Sequence, residues 1–283
     1  MRRLIAGACR PLVLLALALP AIIPLEAQQP QQPQRAGESR ADWIARQVQD
    51  RETGKDSRVS MRMTLVDRRG RARERALSIT GMQGGAGRAV PGDRTLLHFT
   101  RPNDIRGTGF LVWEHPAADD ERFLYLPSLG RVRRIAGSEA QESFVGSDFT
   151  FEDIGGRELD DYTYTLLDEN ASWTAADGSR HAAWRLESKS RSADARFPRI
   201  VSLIRKDILI AVQAEIFNRR NEKQKTFEAT RVEKVDGFWT VMAMTMADAL
   251  EGTRTDLLVE KAEYDVGLKA TDFSRVQLER GAR

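Results

Sequence analysis

The 283-residue chain is short of the side chains that usually carry chemistry. It holds one cysteine and three histidines. Cys9 lies in the N-terminal stretch treated below, and past it no thiol is left for a disulfide framework, a thiolate nucleophile or a Cys-based metal site. His98, His115 and His181 stand far apart, and no His-Glu-x-x-His occurs. Gly146-Ser147 lacks the second glycine of a nucleophile elbow, and Gly84-Gly85-Ala86-Gly87 does not complete a dinucleotide fingerprint. His115 with Asp119, Asp120 and Glu121 has no metal-ligand spacing and reads as a solvated hairpin turn. Asp148, Glu152 and Asp153 read as surface acids, because acid–base work needs a defined separation across a cleft. The expectation is a protein that is not an enzyme, with no catalytic residue, no metal and no cofactor. Charge of one sign is also missing: 44 Lys+Arg face 41 Asp+Glu. No basic patch is interleaved with aromatics, so nucleic acid is not an expected partner.

One long hydrophobic run exists, at the N-terminus. Arg2 and Arg3 precede an apolar stretch, 11–23, that is short and broken by Pro20, and Leu25-Glu26-Ala27 ends on a small residue. This pattern is that of a cleavable secretory signal peptide over 1–27, and so of a periplasmic protein; a membrane anchor is the alternative reading. Ala6-Gly7-Ala8-Cys9 is not a lipidation site, because the apolar stretch follows the cysteine. Cleavage after Ala27 leaves 41 basic and 40 acidic residues, so the pI of about 9.1 carries no information about partners. Residues 28–40 are rich in Gln and Pro without apolar side chains, which predicts a disordered tether. Residues 41–283 then form one large domain.

The hydrophobic period changes along this domain. Ser39-x-x-Asp42 resembles a capping box opening a helix to about Thr53, with Trp43 anchoring a narrow apolar stripe on a sheet. From Val59 the period is two. Strands are predicted over 59–65 and 71–80, then 95–101, 108–114, 122–126, 131–135, 162–167, 181–189, 199–205, 208–217, 225–235, 238–247 and 253–264, as one long antiparallel meander. Residues 138–156 interrupt it. Helix-favouring Glu139 to Glu142 and the apolar anchors Phe144, Phe149, Phe151 and Ile154 mark a lid or plug with a short helix.

Met61 and Met63 share one strand face, and Met242, Met244 and Met246 share another. Methionine moulds to ligands of variable shape, although a Met stripe is also ordinary core. Aromatics are spread over successive strands: Phe99, Phe110 or Trp113, Phe123, Tyr125, Trp184, Phe217 and Phe227. A wide sheet with one long helix to cover it leaves a cavity, and apolar cavities are ligand sites. The candidate lining is Met61, Met63, Leu97, Phe99, Phe110, Phe123, Tyr125, Trp184, Met242, Met244 and Met246.

Several separated blocks, in order, carry a resemblance. They are Phe99-x-Arg101-Pro102 with Asp104-Ile105-x-Gly107-Thr108-Gly109-Phe110-Leu111; Leu124-Tyr125-Leu126-Pro127 followed by 131–135; 143–153, from Ser143-Phe144 to Glu152-Asp153; Phe197-Pro198; Met242-x-Met244-x-Met246-x-Asp248; and Phe273 with Leu278. Over about 43–280 the chain resembles the outer-membrane lipoprotein-sorting (LolA-like) proteins, in the longer branch associated with resistance-nodulation-division (RND) type exporters. The resemblance implies a mainly β fold: an unclosed antiparallel β-barrel around a helical lid and a hydrophobic cavity. It implies a periplasmic carrier or chaperone that takes lipid or lipoprotein acyl chains between the inner and outer membranes, with an RND-type inner-membrane exporter as partner and transient membrane contact. An adaptor of such an exporter, with a filled core and no cargo, is the alternative. By the resemblance, Arg101 and Pro102 mark the strand end where an arginine ties barrel to lid, with Phe144, Phe149 and Phe151 in the lid. A surface Arg-Pro step is the plain reading of the same residues.

Overall fold

The computed structural model describes residues 31–281. The expected signal peptide and Cys9 lie outside them. The domain opens with α1 (Arg40–Gln49), capped by Ser39, whose Oγ accepts from the Asp42 N–H at 3.0 Å. The helix ends four residues short of the expected Thr53. Part of the expected tether is laid against it: the Gln32 N–H donates to Gln47 Oε1 at 2.7 Å, and the Arg46 guanidinium pairs with Glu38 at 2.7 Å and donates to the Pro33 carbonyl. Helix-borne polar groups therefore hold a segment that has no large apolar residue of its own.

Thirteen strands follow, as many as the period-two reading predicts. They are β1 (Asp56–Val66), β2 (Ala72–Met82), β3 (Arg94–Arg101), β4 (Gly109–Trp113), β5 (Glu121–Leu126), β6 (Arg131–Ile135), β7 (Tyr162–Thr174), β8 (Arg180–Ser190), β9 (Arg199–Arg205), β10 (Ile210–Phe217), β11 (Lys223–Val235), β12 (Phe238–Asp248) and β13 (Thr253–Tyr264). Between β6 and β7 lies one five-residue helix, α2 (Phe151–Gly155), and α3 (Arg275–Arg280) ends the described chain. Turn chemistry fixes the hairpins. Asp67 accepts from the Arg69 and Arg71 N–H groups, while Asp236 and Gly237 both adopt the positive φ that a two-residue hairpin loop requires.

All strands join one antiparallel sheet, ordered β6-β5-β4-β3-β2-β1-β13-β12-β11-β10-β9-β8-β7. This differs from one continuous meander. Two meanders meet where β1 pairs β13, with Met61 opposite Val259 and Met63 opposite Leu257. The first and last strands thus bury matching apolar faces against each other. The free edges are β6 and β7, at either end of the segment that interrupted the strand pattern. The sheet is unclosed there, yet it curls enough that Ile135 of β6, Tyr162 of β7 and Ile200 of β9 share one core with Met63, Phe99 and Phe110.

Pairing register separates the two faces, and it corrects three of the expected lining residues. Phe123 and Tyr125 point away from the core that holds Leu124, into a cluster on the outer face with Leu111, Phe273 and Leu278. There the Arg275 guanidinium lies 4.3 Å from the Phe123 ring centre. Alternation puts neighbouring residues on opposite faces, and the C-terminal segment covers the outer one. Trp184 is on the inner face, but α1 covers it. Its ring meets Trp43 edge-on at 5.7 Å, within a cluster that includes Ile44, Leu186, Ile204 and Leu209.

Candidate functional site

The inner face begins as a backbone pattern. In β1, Met61, Met63 and Leu65 are buried while Arg62 and Thr64 between them are less so. Cross-strand pairs carry the apolar surface sideways: Met61 faces Leu77, Leu77 faces Phe99, Leu97 faces Phe110, Phe110 faces Leu124, and Met244 faces Leu257. Eight of the eleven expected lining residues, Met61, Met63, Leu97, Phe99, Phe110, Met242, Met244 and Met246, belong to this one cluster.

Residues 136–161 cross that face and fill it. Phe144 is wholly buried, stacked on Phe99 at 6.0 Å and edge-on to Phe110 at 5.4 Å; Phe151 meets Phe144 at 5.5 Å and Phe110 at 5.4 Å. Phe149 joins the same core. The expected helix over 139–142 is only a single 3-10 turn at Gly137–Glu139. In its place residues 143–150 fold back on themselves. The Phe144 N–H donates to the Phe149 carbonyl at 2.8 Å, and Val145 and Gly146 take positive φ at the tip. Thr150 and Asp153 then form a reciprocal capping box that starts α2. Gly155 lets α2 approach β4 closely, because a Cβ there would stand 3.0 Å from Val112 Cγ2 and 3.2 Å from Phe110 Cε1.

A few polar contacts fasten this segment. The Arg75 guanidinium donates to the Val145 carbonyl at 2.7 Å, and Lys225 Nζ donates to the Asp148 carbonyl at 2.5 Å. The Asp148 carboxylate accepts from the hydroxyls of Thr253 and of fully buried Thr255, the latter at 2.6 Å. Burial holds the Lys225 ammonium and the Arg75 guanidinium below their ordinary pKa values. At the other end, Glu152 accepts from Tyr162 Oη at 3.0 Å and from Gln141, while Asp153 pairs with Arg157. Burial raises the Tyr162 phenol. These carboxylates are therefore structural partners and not the surface acids expected from sequence.

The expected arginine tie is present on a different residue. Arg101 is exposed at the end of β3, as is Pro102, and Arg75 makes the bond to the segment from the neighbouring strand. Nothing in the sequence distinguishes Arg75 from Arg73, since both fall on the inward parity, Arg75 opposite Met63 and Arg73 opposite Leu65. Lys225 and Thr255 were missed for a related reason. Both occupy inward positions that an apolar period would assign to hydrophobes.

The acidic turn also differs from its expectation. The Asp120 side chain is largely covered and paired with Arg122 at 3.0 Å, and His115 Nε2 lies 3.3 Å from Glu121. Among the described residues no group of three or more His, Cys, Asp or Glu is arranged to hold a metal. Arg122 lies on a groove of about 1030 Å³ at the open seam, lined from both sides by polar and apolar residues such as Arg134, Ile135, Tyr162, Arg196 and Gln224. A smaller cavity of about 340 Å³ lies between Leu124 and Leu126 of β5 and Val145 and Phe151 of the crossing segment.

An unclosed antiparallel sheet curled round an apolar inner face is also what comparison with known structures finds. A DUF1329 family protein from Desulfovibrio piger is 30% identical, with a TM-score of 0.73 over 84% of this chain and 97% of its own. The chain belongs to the DUF1329 family, and its fold is LolA-like. A putative outer membrane lipoprotein-sorting protein domain from Vibrio parahaemolyticus is 26% identical, with a TM-score of 0.74 over 85% of this chain and 98% of its own. A LolA superfamily protein from Nitrosomonas europaea, 14% identical, shares the fold with a TM-score of 0.62 over 83% of this chain and 96% of its own. A family model described as "Uncharacterized protein" matches residues 91–280 of this LolA-like chain. No curated protein matches it.

Proposed function

We propose that this LolA-like protein is an exported, periplasmic carrier that binds lipid or lipoprotein acyl chains on the inner face of its sheet, in the place held by residues 136–161. The observation that carries this reading is the cover itself. The widest apolar surface of the molecule is closed by a connecting segment with little regular structure, not by a second sheet or a long helix. Burying Phe144, Phe149 and Phe151 stabilises the covered state by about 5–9 kcal/mol, at about 1.5–3 kcal/mol each. An acyl chain of about 15 methylenes offers roughly 12 kcal/mol of gross transfer free energy. One long chain can therefore displace the three rings with a modest surplus, and a short chain cannot. Displacement also frees the polar ties at Arg75, Lys225 and Thr255, so loading and release respond to a partner that alters them. An RND-type exporter in the inner membrane is the proposed partner, through the resemblance alone.

The filled interior also suits an adaptor without cargo. Native mass spectrometry with lipid extraction, on protein purified mildly from the periplasm, separates the two. The carrier reading expects bound acyl lipid, lost in Met244→Arg. A clean apo mass that stays unchanged after incubation with labelled long-chain lipid rejects it in favour of the adaptor.

A further inference from the structure

Every ladder in the sheet is antiparallel, so each inter-strand turn falls at one of two ends. Turns 67–71, 102–108, 127–130, 191–198, 218–222 and 249–252 share one end; 83–93, 114–120, 175–179, 206–209 and 236–237 share the other. The two ends differ in charge. The first set carries eight arginines against five acids, and the second carries Arg88 and Lys206 against seven acids.

The basic end has a finer pattern. Four of its turns are consecutive round the rim: 127–130, 102–108, 67–71 and 249–252. The outer two present leucines at their tips, Leu129 (57% exposed) and Leu250 (54% exposed). Between them stand the exposed arginines Arg68, Arg69, Arg73, Arg101 and Arg106, none of which makes an ion pair among the described residues. Six strand spacings separate the two leucine turns, roughly 29 Å along the sheet. Two isolated apolar tips that far apart, with unpaired cations between, do not make the contiguous buried anchor of a protein–protein interface. They match a plane that is anionic at its surface and apolar just beneath it.

We propose that this rim docks on an anionic phospholipid bilayer, with Leu129 and Leu250 entering below the headgroups and the intervening arginines lying against the phosphates. The proposal deepens the carrier reading and rests on it, since it names the surface by which the carrier meets a membrane. The rim is also where the crossing segment is fastened. Leu250 stands three residues from Thr253 and five from Thr255, which together hold Asp148. A docked membrane therefore touches the hairpin that carries that fastening.

The test is co-sedimentation of the exported protein, purified from the periplasm, with vesicles of phosphatidylglycerol and phosphatidylethanolamine, against vesicles of phosphatidylcholine alone, with uptake of a fluorescent fatty acid measured on the same protein. Binding is expected to the anionic vesicles only and to weaken as salt is raised. Leu129→Ser and Leu250→Ser should each weaken it about tenfold. Arg68→Gln, Arg69→Gln and Arg106→Gln should each weaken it about fivefold. Val266→Ser, at an exposed position at the acidic end, should leave it unchanged. Equal binding to both vesicle types, or binding that none of the rim variants weakens, overturns the proposal. So does sedimentation with neither vesicle, which assigns the rim to an acidic protein surface instead. Fatty-acid uptake without vesicle binding removes the docking surface and leaves the carrier standing. Vesicle binding without uptake removes the carrier reading and, with it, the purpose given to the rim.

Discussion

Replacing Asp148 with alanine should open the crossing segment while leaving the sheet intact. The carboxylate accepts hydroxyl hydrogen bonds from Thr253 and Thr255, and its removal leaves the buried Thr255 hydroxyl without that acceptor. A hydrogen bond to a charged group contributes about 1.5–3 kcal/mol. Asp148 is half-buried, so water replaces part of the loss, and about 2–4 kcal/mol is the reasonable cost. At 1.4 kcal/mol per tenfold, the open population rises about 30- to 1000-fold. The Phe144 N–H, bonded to the Phe149 carbonyl, and the Ser147 N–H, bonded to the Phe144 carbonyl, report that population directly through amide hydrogen exchange. Their exchange should accelerate by that factor, while amides in β1 and β13 keep their protection. Asp148→Asn retains one acceptor oxygen and should show about half the free-energy effect. Exchange at Phe144 and Ser147 that rises no more than at Met63 and Leu257 would refute the fastening role.

Three further outcomes are expected. Gly155→Ala forces a Cβ to within 3.0 Å of Val112 and should destabilise by about 1–3 kcal/mol, lowering Tm by several degrees in a thermal melt; an unchanged Tm would mean that β4 yields without cost. Trp43→Ala empties the contact with Trp184 and should cost about 3–5 kcal/mol by urea denaturation, whereas a loss below about 1 kcal/mol would show α1 to be dispensable for the domain. Glu114 is pushed up to about 7 by burial and by the nearby negative charges of Asp93 and Asp120, partly opposed by Arg122. A carboxyl whose folded pKa exceeds its unfolded value binds more protons when folded, so its contribution to stability is full below about 4.5 and is lost as pH rises through about 7. Glu114→Gln should therefore raise Tm more at pH 8 than at pH 5, and an equal effect at both would refute this charge accounting.

The sheet was legible because half-buried strands write their burial into alternate residues. Met61, Met63 and Leu65 against Arg62 and Thr64 suffice to assign both β1 and its inward face. Pairing order was not legible, since alternation says which side a residue faces and nothing about which strand lies beside it; the contact of β1 with β13 joins residues about 200 positions apart. Tyr125 and Phe123 were misassigned because an aromatic in a strand suits either face when both are covered, here by the crossing segment within and by α3 without. The polar fastening was hidden for a third reason. Lys225, Thr255 and Arg75 stand at inward positions, and only a partner arriving from elsewhere in the chain, the 145–148 tip, makes those positions tolerable for them.

That tip also explains why the sheet stops where it does. The crossing segment leaves from β6 and returns at β7, and these are the two unpaired edges. Were β6 and β7 bonded to each other, the segment could leave the interior only by breaking a ladder. With the seam open, its withdrawal breaks no strand ladder; it severs the Phe packing, the side-chain ties at Arg75, Lys225, Thr253 and Thr255, and the contacts of residues 141–158 with Phe197, Arg196, Arg122 and Tyr162. Edges left unpaired invite association with other chains, and proteins commonly guard them with charge. β6 does so: Arg131, Arg133 and Arg134 are all exposed along its five residues. In the proposed carrier, the open seam is the route by which this segment leaves without unfolding the sheet. A covalent staple across it tests this directly. Cysteines placed on β6 and β7 and joined by a reducible bifunctional cross-linker long enough to span the groove should abolish uptake of a labelled acyl chain, and reduction should restore it. Uptake that persists with the staple closed would place the entry route elsewhere.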